Sequence, residues 1–152
     1  MYGTAARIVG IAAGHDRPLV DALTEYGDSY GMVYEIVDDI LDITATDEQL
    51  GKPAGHDIVE GVYTLPVLRT LALDNAAAGE LAGLLGAPLD SAAQDKALGI
   101  VRSNDGLTSA VETAQEYVAR AENACDDFPD SPATDALRAA PRALLASVSV
   151  AA

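Results

Sequence analysis

One stripe of residues constrains this chain more than anything else in it. Leu19, Leu23, Tyr26, Tyr30, Val33, Val37 and Ile40 recur at alternating steps of four and three. That is the apolar seam of a helix packed in a bundle. It predicts a long helix from Pro18 to Thr44, roughly 40 Å from end to end at 1.5 Å rise per residue. Asp16 stands where an N-cap belongs, and Pro18 takes an early helical position where its missing N–H is not needed.

The rest of the chain has the same helical spacing. Thr4 to Ala13 reads as a short helix ended by Gly14, and Thr46 to Ile58 as a loop rich in glycine and polar residues. Further helices are predicted over Val62 to Ala72, with Pro66 in its first turns, and over Ala76 to Leu85. Ser91 to Arg102 follows with Ser91 as its cap, then Leu107 to Ala124, and a last helix over Ala133 to Val148. No alternating run or hairpin signal argues for a strand. The predicted fold class is all-α, a helical bundle forming a single domain over residues 1–152.

Composition supports this and narrows the partners. With no Trp and one Phe, the core must come from Ala, Leu, Val and Ile, which suits close-packed helices. A formal net charge of -15 repels nucleic acid and anionic lipid. Anionic substrates are repelled too, unless a metal ion intervenes. Cys125 is the only cysteine, so there is no internal disulfide and no Cys-based zinc site. The apolar run Ile8 to Ala13 is far too short to span a membrane and lacks the pattern of a secretory signal. The simplest location is the cytoplasm, with no transmembrane segment.

A second stripe on the long helix carries the chemistry. Asp28, Gly31, Glu35, Asp38 and Asp42 also step by three or four, so they share a face. Asp38 and Asp42 lie one turn apart, and Asp39 lies beside them, one turn after Glu35. Like charges this close destabilise a bare helix by a few tenths of a kcal/mol per pair, and a divalent cation reverses that sign. Mg²⁺ takes oxygen ligands, typically one or two carboxylates plus substrate phosphates, and keeps several waters. Taken alone, Asp38-Asp39-Ile40-Leu41-Asp42 is more often a solvated acidic face. Beside it stands Gly51-Lys52-Pro53-Ala54-Gly55, where backbone can approach a phosphate closely and Lys52 can bind it as a point charge.

Other residues have plainer readings. His15 and His56 lack a second ligand at metal spacing and read as solvated or hydrogen-bonding groups. Asp57 reads as a cap or loop anchor, Cys125 as a core or interface residue, and Asp126-Asp127 as a solvated turn. Tyr26 and Tyr30 read as core. Tyr34 neighbours the acidic face and is the tyrosine to watch.

Several segments together resemble the trans-isoprenyl (polyprenyl) diphosphate synthase family. The run from Tyr30 to Asp42 is similar to the family's second aspartate-rich region, and Leu50 to Ile58 to the loop that follows it. Glu60 to Pro66 resembles the start of the next family helix. Ala121, Glu122, Phe128 to Pro132 and Ala136 to Arg138 resemble its C-terminal region. The family implies an all-α fold around a central cavity. It also implies head-to-tail condensation of isopentenyl diphosphate with an allylic diphosphate, with Mg²⁺ held between two facing aspartate-rich motifs. Carried over, Asp38 is the main metal ligand, Asp39 and Asp42 are direct or water-mediated ligands, and Lys52 contacts the allylic diphosphate.

The departures from the family pattern are informative. The first aspartate-rich motif and the arginines that follow it are missing, so the resemblance is to the C-terminal half only. Glu35 stands where a Gln is usual and Tyr34 where a Phe is usual. The resemblance then implies substrate-binding positions for both, with Glu35 adding negative charge beside the metal site, where it would either bind metal or be protonated when buried. The resulting expectation is a subunit of a split synthase. A second protein chain would supply the first motif and the isopentenyl diphosphate site, and this chain alone would be inactive. The alternatives are a non-catalytic stabilising subunit, or a fragment of an ordinary single-chain synthase.

Overall fold

The computed structural model describes residues 1–46, 54–86 and 88–151. Helices α1 (Tyr2–Ala12) and α2 (Arg17–Thr44) open the chain. Four shorter helices follow: α3 (His56–Val59), α4 (Leu65–Leu71), α5 (Ala76–Leu84) and α6 (Ser91–Arg102). Then come α7 (Asp105–Ala124), a single 3₁₀ turn (Cys125–Asp127) and α8 (Pro132–Ala151). No strand occurs among the described residues.

Local chemistry accounts for most of the boundaries. Gly14 ends the first helical segment in the left-handed region (φ 75°), which costs an L side chain but not glycine. The Asp16 carboxylate accepts the Leu19 N–H at 3.2 Å and caps α2 as predicted. Three expectations are corrected. The cap of α6 is Asp90, not Ser91: its carboxylate accepts the Ala93 N–H at 2.8 Å. The helix predicted from Val62 begins only at Leu65. That start puts Pro66 in the first turn, where no N–H is required, whereas a start at Val62 would have put it where one is. α7 begins at Asp105, two residues before the predicted start at Leu107.

The helices fall into two compact units. The first comprises Met1–Val37 and Thr113–Ser147, the second Asp38–Glu112 and Val148–Ala152. In the first, Ala22, Tyr26, Ala121, Ala124, Cys125 and Phe128 form the core, with Leu19, Leu23 and Tyr30 packed against it. These include four of the seven stripe residues predicted to face inward. Tyr26 stacks on Tyr30 at 6.0 Å and meets Phe128 edge-on at 6.0 Å. Cys125 is buried and its thiol donates to the Ala121 carbonyl. Asp126 and Asp127 are exposed in the 3₁₀ turn, as read, and Asp126 pairs with Arg138 at 2.7 Å. α1 lies on α2 with bare backbones touching: a Cβ on Gly27 would stand 2.9 Å from the Gly3 Cα.

In the second unit Ile43, Ile58, Val67, Leu81, Ala97, Leu98 and Val101 are buried together. Each large aliphatic side chain so buried contributes about 1.5–3 kcal/mol. Ile43 comes from the last turns of α2.

Candidate functional site

α2 places the three aspartates at three different depths. Asp38 is exposed, Asp39 half-buried, and Asp42 buried at 2% exposure. Helical spacing sets their directions, but the segment that returns after residue 53 sets their surroundings.

That segment is fastened to α2 at two places. The Asp42 carboxylate accepts the Asp57 N–H at 3.3 Å, and the Asp42 carbonyl accepts the Gly55 N–H at 2.8 Å. Farther along, the Asp39 carboxylate accepts the Leu65 N–H at 3.4 Å. Leu65 opens α4, so its N–H has no acceptor within that helix. A negative group there also suits the positive end of the helix dipole. Asp39 thus caps α4 from another helix, and Asp42 anchors α3.

Gly55 makes the first attachment possible. Its φ is 70°, and a Cβ there would stand 2.8 Å from both terminal carbons of Leu98. The left-handed conformation favours glycine, and a side chain there would also have to displace the Leu98 methyls. The neighbouring Ala54 carbonyl accepts from the Gln94 side chain at 2.8 Å. The end of α2 is secured from the other side, where Arg102 donates to the Ile43 carbonyl at 2.6 Å. A cation at a helix C-terminus also offsets the helix dipole. Sequence reasoning identified neither Gln94 nor Arg102. Both act on partners 40 and 59 residues away, and no local pattern marks them.

The remaining predicted residues are placed as follows. Lys52 lies outside the described residues. His56, read as a solvated or hydrogen-bonding group, is half exposed and lies 3.2 Å from Glu60 one turn on. Tyr34 and Glu35 are both exposed and belong to the first unit. Tyr34 meets the ring of Tyr2 at 5.7 Å, so it is not core. Glu35 borders a concavity of about 270 Å³ with Tyr2, Asp28, Gly31 and Met32. Partial burial pushes the Tyr2 hydroxyl pKa up, and Tyr34, Glu35 and Tyr30 push it the same way.

The donor set is carboxylate oxygen, the chemistry that suits Mg²⁺ or another hard divalent cation. Among the described residues no group of three or more His, Cys, Asp or Glu is gathered into a metal cage. The residues present therefore fit a cation held by one or two carboxylates, with substrate phosphate and water completing its shell. They do not fit a cation enclosed by protein alone.

Comparison with known proteins places this all-helical frame and its long carboxylate-bearing helix. The model of the Polyprenyl synthetase family matches residues 1–101. The chain belongs to the polyprenyl synthetase family, and corresponds to the C-terminal half of a trans-prenyl synthase. It is 33% identical over 138 residues to heptaprenyl diphosphate synthase component 2 of Geobacillus stearothermophilus, across 91% of this chain and 42% of that protein. It is 34% identical over 140 residues to nonaprenyl diphosphate synthase of Mycobacterium tuberculosis, with the same shares.

Among solved structures, geranylgeranyl pyrophosphate synthase of Corynebacterium glutamicum, complexed with calcium and isoprenyl diphosphate, superposes with a TM-score of 0.87. It is 33% identical, over 96% of this chain and 46% of that one. Heptaprenyl diphosphate synthase of Staphylococcus aureus has the same TM-score at 26% identity, covering 95% of this chain and 45% of that one. The chain thus spans less than half the length of each of these relatives. No described helix is long and apolar enough to cross a membrane.

Proposed function

We propose that this chain is the subunit of a heteromeric trans-prenyl diphosphate synthase that supplies the second aspartate motif. The reaction joins isopentenyl diphosphate to an allylic diphosphate, and a second chain contributes the first motif. The observation that carries this reading is the graded placement on α2. Asp38 is exposed, while Asp39 and Asp42 fasten the segment that follows Lys52. Two family relatives are themselves named as component 2 of a heptaprenyl diphosphate synthase, which supports a partner component.

In this reading Asp38 is the principal magnesium ligand. Asp39 and Asp42 are direct or water-mediated ligands that also hold backbone, and Lys52 contacts the allylic diphosphate. Bound magnesium supplies electrostatic stabilisation of the departing diphosphate. The protein's part is positional. Asp42 and Asp39 hold residues 54–65 against α2, so the groups around the leaving diphosphate need little reorganisation during reaction. Glu35 adds a carboxylate on the same helix, and Tyr34 an aromatic hydroxyl, both in substrate-binding roles. The site of action is the cytoplasm.

The test is to assay the pure chain alone, and again with a chain that carries the first motif. Prenyl transfer is expected only from the pair. Full activity in the pure single chain would sink the split-subunit reading.

The involvement of Asp39 and Asp42 with backbone N–H groups favours one second reading, a non-catalytic subunit that stabilises a synthase. Alanine at Asp38 separates the two readings. An unchanged complex activity selects the stabilising role, and a lost activity selects the catalytic one.

A further inference from the structure

Gln94, Leu98 and Arg102 are spaced by four along α6, so they share one face of that helix. Each of them meets backbone close to Asp42, and all belong to the second unit. Arg102 donates to the carbonyl of Ile43, the residue after Asp42, at 2.6 Å. Gln94 donates to the carbonyl of Ala54 at 2.8 Å. Leu98, on the turn between them, is buried against Gly55. Gly55 in turn donates its N–H to the Asp42 carbonyl, and Asp57 its N–H to the Asp42 carboxylate. One helix face therefore holds Asp42 from two directions. Arg102 grips the α2 backbone that carries it, and Gln94 grips the segment whose amides it accepts.

The two polar contacts are not what docks α6. Ala97, Leu98 and Val101 already bury it in the core of this unit. Apolar burial is non-directional, whereas a hydrogen bond requires a set distance and angle. Gln94 and Arg102 thus fix where the backbone around Asp42 lies, within limits that packing alone leaves loose. Asp42 stands one turn from Asp38, so a shift of its carboxylate changes the separation of the pair. Mg²⁺ demands near-ideal octahedral geometry and is sensitive to such a shift.

We propose that Gln94 and Arg102 are positioning residues for the metal-binding carboxylates, acting through the backbone on either side of Asp42. The proposal rests on the reading of Asp38 and Asp42 as magnesium ligands, and adds α6 to the parts of the chain that hold them. Ordering the carboxylates before the cation arrives lowers the cost of binding it.

The test uses the full chain and Mn²⁺ as the probe, with the free ion followed by electron paramagnetic resonance at about 0.15 M salt. Binding that is lost in Asp38→Ala defines the site. Gln94→Met removes the amide donor at nearly equal length, and Arg102→Met removes the guanidinium. Each should weaken that binding roughly tenfold. Arg102→Lys keeps a cationic donor and should recover most of the loss. In an Asp42→Ala background, adding Gln94→Met should change the affinity by less than about twofold, because the carboxylate it positions is gone. A merely stabilising side chain would keep its effect there. Hydrogen exchange gives a second readout. The Gly55 and Asp57 amides should exchange about tenfold faster in Gln94→Met, while the Ala121 amide of the first unit keeps its parent rate. Gln94→Asn, which withdraws the donor by one methylene, should move both readouts in the same direction where Gln94→Met is too unstable to titrate. Parent affinity and parent exchange in the folded variants overturn the proposal. So does an undiminished effect of Gln94→Met in the Asp42→Ala background. A parent chain that binds Mn²⁺ no better than Asp38→Ala refutes the metal reading, and the proposal with it. The two failures are distinguishable, because the first leaves the Asp38-dependent binding intact.

Discussion

The Asp42 carboxylate, buried in the second unit, accepts the Asp57 N–H at 3.3 Å. A residue of the acidic motif is therefore also the anchor of the segment that follows it. Asp42→Ala removes that acceptor and leaves a part-buried N–H to find another, at a cost of about 1–3 kcal/mol. Asp42→Asn keeps an acceptor oxygen and should cost less than Asp42→Ala. Urea unfolding of the three proteins, compared at equal slope, checks the order.

Asp38 behaves oppositely because it is exposed. Asp38→Ala should leave unfolding free energy within about 0.5 kcal/mol of the parent. Prenyl transfer by the assembled complex should fall on the order of a hundredfold or more. Chelation with EDTA should abolish that activity and added Mg²⁺ restore it. A destabilised Asp38→Ala, or an active one, contradicts the assignment.

Gly106 packs directly on α4. A Cβ at this position would overlap the Thr70 hydroxyl and stand 2.5 Å from the Thr70 nitrogen. Backbone cannot yield as a flexible side chain can, so Gly106→Ala should destabilise by about 1–3 kcal/mol despite alanine's better helix propensity. Thermal melting of this variant beside Gly79→Ala, where a Cβ meets nothing within 4 Å, separates packing from propensity. Gly79→Ala should be neutral or stabilising.

Tyr26 donates its hydroxyl to the Leu137 carbonyl at 2.9 Å, and burial pushes its pKa up to about 12. Tyr26→Phe should cost about 0.5–1.5 kcal/mol at neutral pH through the lost hydrogen bond. The raised pKa means that the folded state favours the neutral phenol. Its contribution is fully present below the unfolded value of about 10 and is lost as pH rises toward 12. The stability gap between wild type and Tyr26→Phe should therefore narrow across pH 10–12. A gap that stays constant in that window would refute the assignment.

Much of the architecture was legible in the sequence because it is encoded locally. The four-and-three spacing from Leu19 to Ile40, the cap at Asp16 and the stop at Gly14 depend only on neighbours within a turn or two. α4 starts three residues later than the apolar spacing from Val62 predicts, because Pro66 fits only where no N–H is required. The cap of α6 lies one residue before Ser91, because Asp90 and Ser91 are both good capping residues and only tertiary packing chooses between them.

The candidate site was legible in identity but not in depth. Asp38, Asp39 and Asp42 belong to one five-residue motif, and nothing in its spacing distinguishes the exposed carboxylate from the buried one. Gln94 and Arg102 left no local mark, because their partners are Ala54 and Ile43.

The sequence by itself determined that the chain is helical, where most of its helices lie, and which family it resembles. Helical periodicity, capping and motif spacing are short-range properties, written within a few residues. The tertiary structure decided which carboxylate faces solvent and which ones hold backbone. Those outcomes depend on segments 15 to 59 residues apart coming together, and burial is a property of what packs against a residue rather than of the residue itself.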